Sequence, residues 1–298
     1  MGSSLPSHGR YEHSSIFARP AFDWPGGKKL AVYFALGIEH YAFNEGLVEN
    51  LVPGIPAPDV LNTSWREYGN RVGAWRVLNA FVQYKLPLSI LLNTAVYEEA
   101  PDLMAACSRA GCEMIAHGYS NSETLAGRTE ADEAAYISST TEDIRKAEGR
   151  PPTGWSSPWI AETVATPDIL AEAGYDYLLD WIMDDQPVWL KTRTRPILAV
   201  PYSHDLNDSS TGIGRSVTAR DFADMIVDQF DEMLASSTDA PQVMPVILHS
   251  FISGQPFRLK ALRRAIEHMM AHGDAVWFTQ PGAIASHIMS MQSAPGPS

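Results

Sequence analysis

The chain has 298 residues, 45% hydrophobic and 19% charged, with a formal charge of −13. Such a composition buries a sizeable core and rules out a disordered chain. The acidic balance, without any Lys/Arg-dense segment, argues against nucleic acid or an anionic membrane surface as partner.

Residues 1–20 form an N-terminal extension, and MGSSLPSHGRYEHSSIF lacks the apolar core of a secretion signal. A cytoplasmic location is therefore expected. The first strand is KLAVYFALG, 29–37; its apolar run is far short of the ~20 residues a membrane span needs. The stretch 38–66 follows, with LVPGIPAPD inside it and no period, and a loop that long in a compact domain is usually functional. REYGNRVGAWRVLNAFVQYK (66–85) reads as a helix, then LSILL (88–92) and CEMIAH (112–117) as strands. Cys107 and Cys112, the only cysteines, flank the turn before the latter and read as packed reduced thiols.

Thr129 opens a helix with a capping-box-like pattern that runs to Gly149. Further strands are expected at 175–181, 197–202, 243–249 and 275–279, with helices over 219–235 and 258–272. In the last of these helices Leu259, Leu262, Ile266 and Met269 share one side. Residues 293–298 read as a frayed tail. Several strands are apolar throughout, as strands covered on both faces are, and strand–helix alternation implies parallel units. The expected fold is α/β: a single distorted (β/α) barrel of about seven parallel strands over the whole chain, with 38–66 covering the site.

Working residues in such barrels come from the C-terminal ends of strands. Those ends carry Glu39 and His40, then His117 with Tyr119, Asn121 and Glu123, then Asp180, then SHDLND at 203–208, then His249. Glu39 would be costly to bury without a partner. Asp180 reads as the orienter of a histidine. The adjacent residues of Ser203-His204-Asp205 diverge on an extended chain and make no triad. Trp155 and Trp159 in GWSSPW lie in a loop, where they would line a pocket.

Together these stretches, with WPGGKKLAVYFALGIEH, REYGNRVGAWR, DWIMDDQP and ILHSFISGQPFR, make the chain resemble the polysaccharide deacetylase superfamily. The likeness is nearest the branch of allantoinase-like and cyclic-imide-hydrolase-like proteins. It departs from the sugar deacetylases where they bind metal. Their adjacent aspartates are matched by Glu39 and His40. Their two histidines four apart are matched by His117 and Asn121, and an Arg of their third motif by the segment 155–158. Asp180 and His249 match their fourth and fifth motifs. Asn is a poor zinc ligand. Two cofactor readings follow: His40 and His117 hold a single divalent metal such as zinc, or the site is metal-free.

The leading expectation is hydrolysis of a non-peptide C–N bond in a small cyclic amide, imide or ureide. Glu39 would be the base on water, His117 or a cation would polarise the carbonyl, and His249 would protonate the leaving nitrogen. Tyr68, Arg71, Tyr119, Asn121, Glu123, Trp155 and Trp159 would form the pocket wall. Metal-dependent deacetylation of N-acetylated sugars is the alternative enzyme reading, and a catalytically inactive binding protein the non-enzymatic one. The resemblance also implies a homo-oligomer.

Overall fold

A computed structural model describes residues 7–291, and its sheet is built outward from one long strand. The nine strands are β1 (Leu30–Ile38), β2 (Ser89–Leu92), β3 (Glu113–Ala116), β4 (Gly154–Trp155), β5 (Tyr177–Leu178), β6 (Val188–Leu190), β7 (Ile197–Ala199), β8 (Gln242–His249) and β9 (Val276–Thr279). Their order is β6-β7-β5-β4-β3-β2-β1-β8, and only β6 runs antiparallel to its neighbour. β1 pairs along its length with β8 on one edge; its first half pairs with β9 and its second half with β2. Nine residues are what let one strand serve three partners.

The sheet curls until its far side returns to β8. Among the described residues no strand completes the ring there. Instead the Ile247 N–H donates to the Leu206 carbonyl (2.8 Å) and the Val243 N–H to that of Asp185 (2.8 Å). The barrel is closed by loop backbone, which is the distortion expected from the sequence.

Every residue of β1 is buried. Its period-two alternation divides two cores. Leu30, Val32, Phe34, Leu36 and Ile38 face the helical layer. Ala31, Tyr33 and Ala35 face the barrel interior with Leu91, Ile115, Tyr177, Leu198 and Ile247. Helices α1 (Val60–Tyr68), α2 (Ala74–Tyr84), α3 (Val96–Glu99), α4 (Pro101–Arg109), α5 (Glu130–Glu148), α6 (Thr166–Glu172), α7 (Ala219–Ser236), α8 (Ser250–Ser253), α9 (Pro256–Met270) and α10 (Pro281–Met291) cover the outside. None of these is long and apolar enough to cross a membrane.

Several details differ from the sequence-based expectation of about seven parallel strands and their helices, among them β6, an additional strand that runs antiparallel to β7. The helix expected at 66 begins at Val60, because Asp59 caps it by accepting from the Asn62 N–H at 3.0 Å. Gly154–Trp155, read as loop, is a strand, and the strand expected over 175–181 shrinks to two residues. Both are too short for periodicity to register. Gly73 lets the turn before α2 pack against α8, since a Cβ there would lie 2.0 Å from the Ser250 carbonyl oxygen. Cys107 and Cys112 are buried and unbridged. The tail 293–298 and residues 1–6 lie outside the described residues.

Candidate functional site

The register of the central strands fixes the site. Gly37 of β1 pairs with His249 of β8, and Leu92 of β2 with Ala116 of β3, so Glu39, His117 and His249 emerge side by side. Gly37 supplies the room: a Cβ there would lie 2.8 Å from Glu39 Oε1 and 3.1 Å from His249 Cδ2. With that space the Glu39 carboxylate folds back between two imidazoles. Its Oε1 is 3.5 Å from His249 Nε2 and 3.7 Å from His117 Nε2. The Tyr41 hydroxyl donates to Oε2 at 2.8 Å. Glu39 and His117 are both deeply buried, at 5% and 4% exposure.

The two rings are held in opposite states. His117 Nδ1 lies 2.7 Å from the Ser156 carbonyl oxygen. A carbonyl only accepts, so Nδ1 carries the hydrogen. Burial pushes this ring's pKa down, the pull of Glu39 notwithstanding, and in the neutral ring Nε2 presents a lone pair. For His249 burial also opposes the charge, but Glu39 and Asp208 outweigh it and raise the pKa to about 9. Its Nδ1–H donates to Asp208 Oδ1 at 2.6 Å, while Asp208 Oδ2 accepts from the His249 N–H (3.0 Å) and Ser253 Oγ (2.5 Å). At neutral pH His249 is therefore an imidazolium beside a neutral His117. Environments that push two titratable groups apart mark an acid and an acceptor.

These groups face a cavity of about 290 Å³. Its walls include Tyr41, Leu91, Trp159, Ile160 and Tyr202. The long loop after β1 contributes Glu49, whose Oε2 accepts from Ser209 Oγ at 2.8 Å and whose pKa is raised by burial. Arg66 holds that loop, donating to the Glu49 carbonyl at 2.7 Å. A larger concavity of about 440 Å³ lies between the N-terminal segment and residues 183–189 and touches none of the three. Convergent chemistry, not size, distinguishes the site.

The other sequence-derived candidates divide. Asn121 and Trp159 line the cavity; Trp159, at φ +63°, donates from Nε1 to the Asn121 carbonyl at 2.7 Å. Trp155 is wholly buried in the core instead. Tyr68 pairs with Arg76, Arg71 is exposed, Tyr119 is half-exposed, and Glu123 pairs with Arg128 at 3.0 Å; none lines the cavity.

Asp180 holds no histidine. It accepts from the Ser157 N–H (2.7 Å) and Oγ (2.6 Å), and burial raises its pKa to about 6. It acts one link away, by fixing the loop whose Ser156 carbonyl fixes His117. The orienting carboxylate for His249 is Asp208. That residue stands in SHDLND, where the sequence alone assigns it no role; Tyr41, Glu49 and Tyr202 carry no sequence signal that singles them out.

His40 is a further correction. It turns away from the cavity, with Nδ1 2.8 Å from Glu99 Oε2 at the surface. Asn121 is also engaged, accepting from Asn93 Nδ2 at 3.2 Å and donating to Tyr41 at 3.3 Å. A zinc centre needs at least three converging protein donors. Of the cavity's other donors, Glu39 Oε1 lies 3.7 Å from His117 Nε2 and 3.5 Å from His249 Nε2, and Glu49 is engaged by Ser209. Among the described residues no His/Cys/Asp/Glu trio in this cavity comes within ligating reach. The donor set does not fit a catalytic zinc.

Comparison with known proteins agrees with this barrel. Residues 67–178 match the polysaccharide deacetylase family. A Schizosaccharomyces pombe protein assigned as a polysaccharide deacetylase is 26% identical, over 88% of this chain and 91% of its own length. The crystal structure of PuuE allantoinase superposes with a TM-score of 0.86 at 27% identity, covering 96% of this chain and 99% of that one. A probable polysaccharide deacetylase from Pseudomonas aeruginosa PAO1 gives 0.83 at 27% identity, covering 91% and 95%.

Proposed function

We propose that this chain, a polysaccharide deacetylase domain whose strand-end donor set has lost its zinc geometry, hydrolyses a carbon–nitrogen bond in a small, neutral cyclic amide, imide or ureide without an active-site metal. The observation that carries the proposal is Glu39 Oε1, set between an imidazole lone pair and an imidazolium N–H.

The chemistry follows from that arrangement. A water donating its two hydrogens to Glu39 Oε1 and His117 Nε2 turns a lone pair toward a carbonyl carbon in the cavity. Glu39 takes one proton as the C–O bond forms. His249 Nε2–H stabilises the developing oxyanion. It then gives its proton to the nitrogen as the C–N bond breaks, leaving a ring-opened carboxylic acid. The proton held by Glu39 restores His249 through solvent. Asp208 keeps the ring cationic and oriented.

A cavity of about 290 Å³ suits a single small ring. Its wall contains no Lys or Arg among the described residues, and the carboxylates of Glu39 and Glu49 face it, which disfavours an anionic substrate. Similarity to an allantoinase supports ring opening. Similarity to deacetylases supports the second reading, removal of an N-acetyl group from a sugar, by the same residues. A site with an acid and a base in complementary states argues against an inert binding protein.

The test is turnover of hydantoins, succinimides, allantoin and N-acetylglucosamine oligomers, each with and without chelator. Ring opening unaffected by chelator is expected. Turnover confined to the sugars, or abolished by chelator, would overturn the proposal.

A further inference from the structure

We infer that the protein carries a structural metal site on its outer face, where Asp231 of α7, His268 of α9 and His272 in the turn after α9 form a cradle for a zinc-class divalent cation. One ligating atom from each of the three lies within 4.8 Å of the others. No other group of described residues meets that geometry. It belongs to neither the catalytic cavity nor its supporting loops.

The fold prepares the site in two ways. His268 and His272 are four residues apart, one turn along α9 and its terminal turn, so their rings neighbour each other on one face, tilted by 53° with centroids 5.4 Å apart. Both rings pack on Phe230, at 5.9 and 5.7 Å, and Phe230 is wholly buried. That contact places the histidines over α7, one residue from Asp231. The ring and carboxylate already meet, with His268 Nε2 2.7 Å from Asp231 Oδ1.

The donor types select the ion. Two imidazoles and one carboxylate suit zinc, nickel or copper and do not suit magnesium or calcium, which prefer oxygen. A tetrahedral zinc shell separates nitrogen donors by about 3.3 Å, within reach of a rotamer change for exposed side chains. Asp231 and His272 are exposed and His268 half-buried, so a hydrated ion has access and water completes the shell. The ion replaces the hydrogen bond between His268 Nε2 and Asp231, and the neutral ring then carries its hydrogen on Nδ1. A bound ion staples α7 to α9 and stabilises the fold by mass action.

Calorimetric titration of the full chain with zinc chloride, paired with thermal melts, tests the site. Uptake of one equivalent with a raised Tm is expected in the wild type and in Glu39→Gln alike, and no response to magnesium. His272→Ala removes an exposed ring, so its metal-free melt serves as the check on folding. Its zinc affinity should fall by about tenfold or more. No saturable zinc uptake, uptake unchanged in His272→Ala, or uptake lost in Glu39→Gln would each overturn the inference; the last would place the metal in the catalytic cavity.

Discussion

The substitution Asp208→Asn perturbs the charge that keeps His249 protonated, and the structure sets the size of the effect. The His249 pKa is raised from 6.5 to about 9, which corresponds to about 3 kcal/mol of folded-state stability. A raised pKa contributes fully below 6.5 and is lost as pH climbs through about 9. Glu39 at 3.5 Å and Asp208 at 2.6 Å supply most of that contribution, and Glu49 adds the smallest share. The change removes the charge nearest the ring and sets an amide N–H₂ against either the ring N–H or the backbone N–H and Ser253. Stability at neutral pH should drop by about 2 kcal/mol, and the alkaline fall should move down by more than about one pH unit. Urea denaturation of both proteins at several pH values across that window measures the two effects together. A variant whose stability declines over the same window as the wild type, by the same amount, would refute the placement of the proton.

Four further changes probe the site. Glu39→Gln keeps the shape and loses the base, so kcat should fall by at least about a hundredfold while the circular dichroism spectrum is unchanged. Gly37→Ala puts a methyl group against Glu39 and His249 and should cost about a hundredfold in kcat through displacement alone. His40→Ala breaks only a surface pair with Glu99 and should leave kcat/KM within about threefold. Chelator treatment should leave kcat/KM unaltered; loss of activity restored by zinc would contradict the metal-free site.

The barrel is legible because its longest strands, β1 and β8, are apolar runs that no surface element could use. The two-residue strands β4 and β5 are not, since two residues carry no period and are strands only because their neighbours hold them there. Asp59 is hidden as a cap by the prolines before it. Within the site, strand ends point to Glu39, His117 and His249, and the structure brings those three together. Their partners are less readable. Whether Asp180 or Asp208 reaches a histidine depends on how a loop folds back across 41 residues of sequence, which local pattern does not encode. The placement of His40, by contrast, is within reach of sequence reasoning. Adjacent side chains leaving a strand diverge, the rule that dismisses Ser203-His204-Asp205 as a triad, and it sends His40 away from Glu39 toward Glu99.

The difference in protonation between the two imidazoles is open to direct observation. Nuclear magnetic resonance of nitrogen-labelled protein, followed against pH, reads tautomer and charge of each ring without any substrate. His249 should titrate near 9, with His117 held neutral and hydrogen-bearing at Nδ1 through the neutral range. Two rings titrating together near the ordinary histidine value, or His117 taking up its proton before His249, would contradict the account.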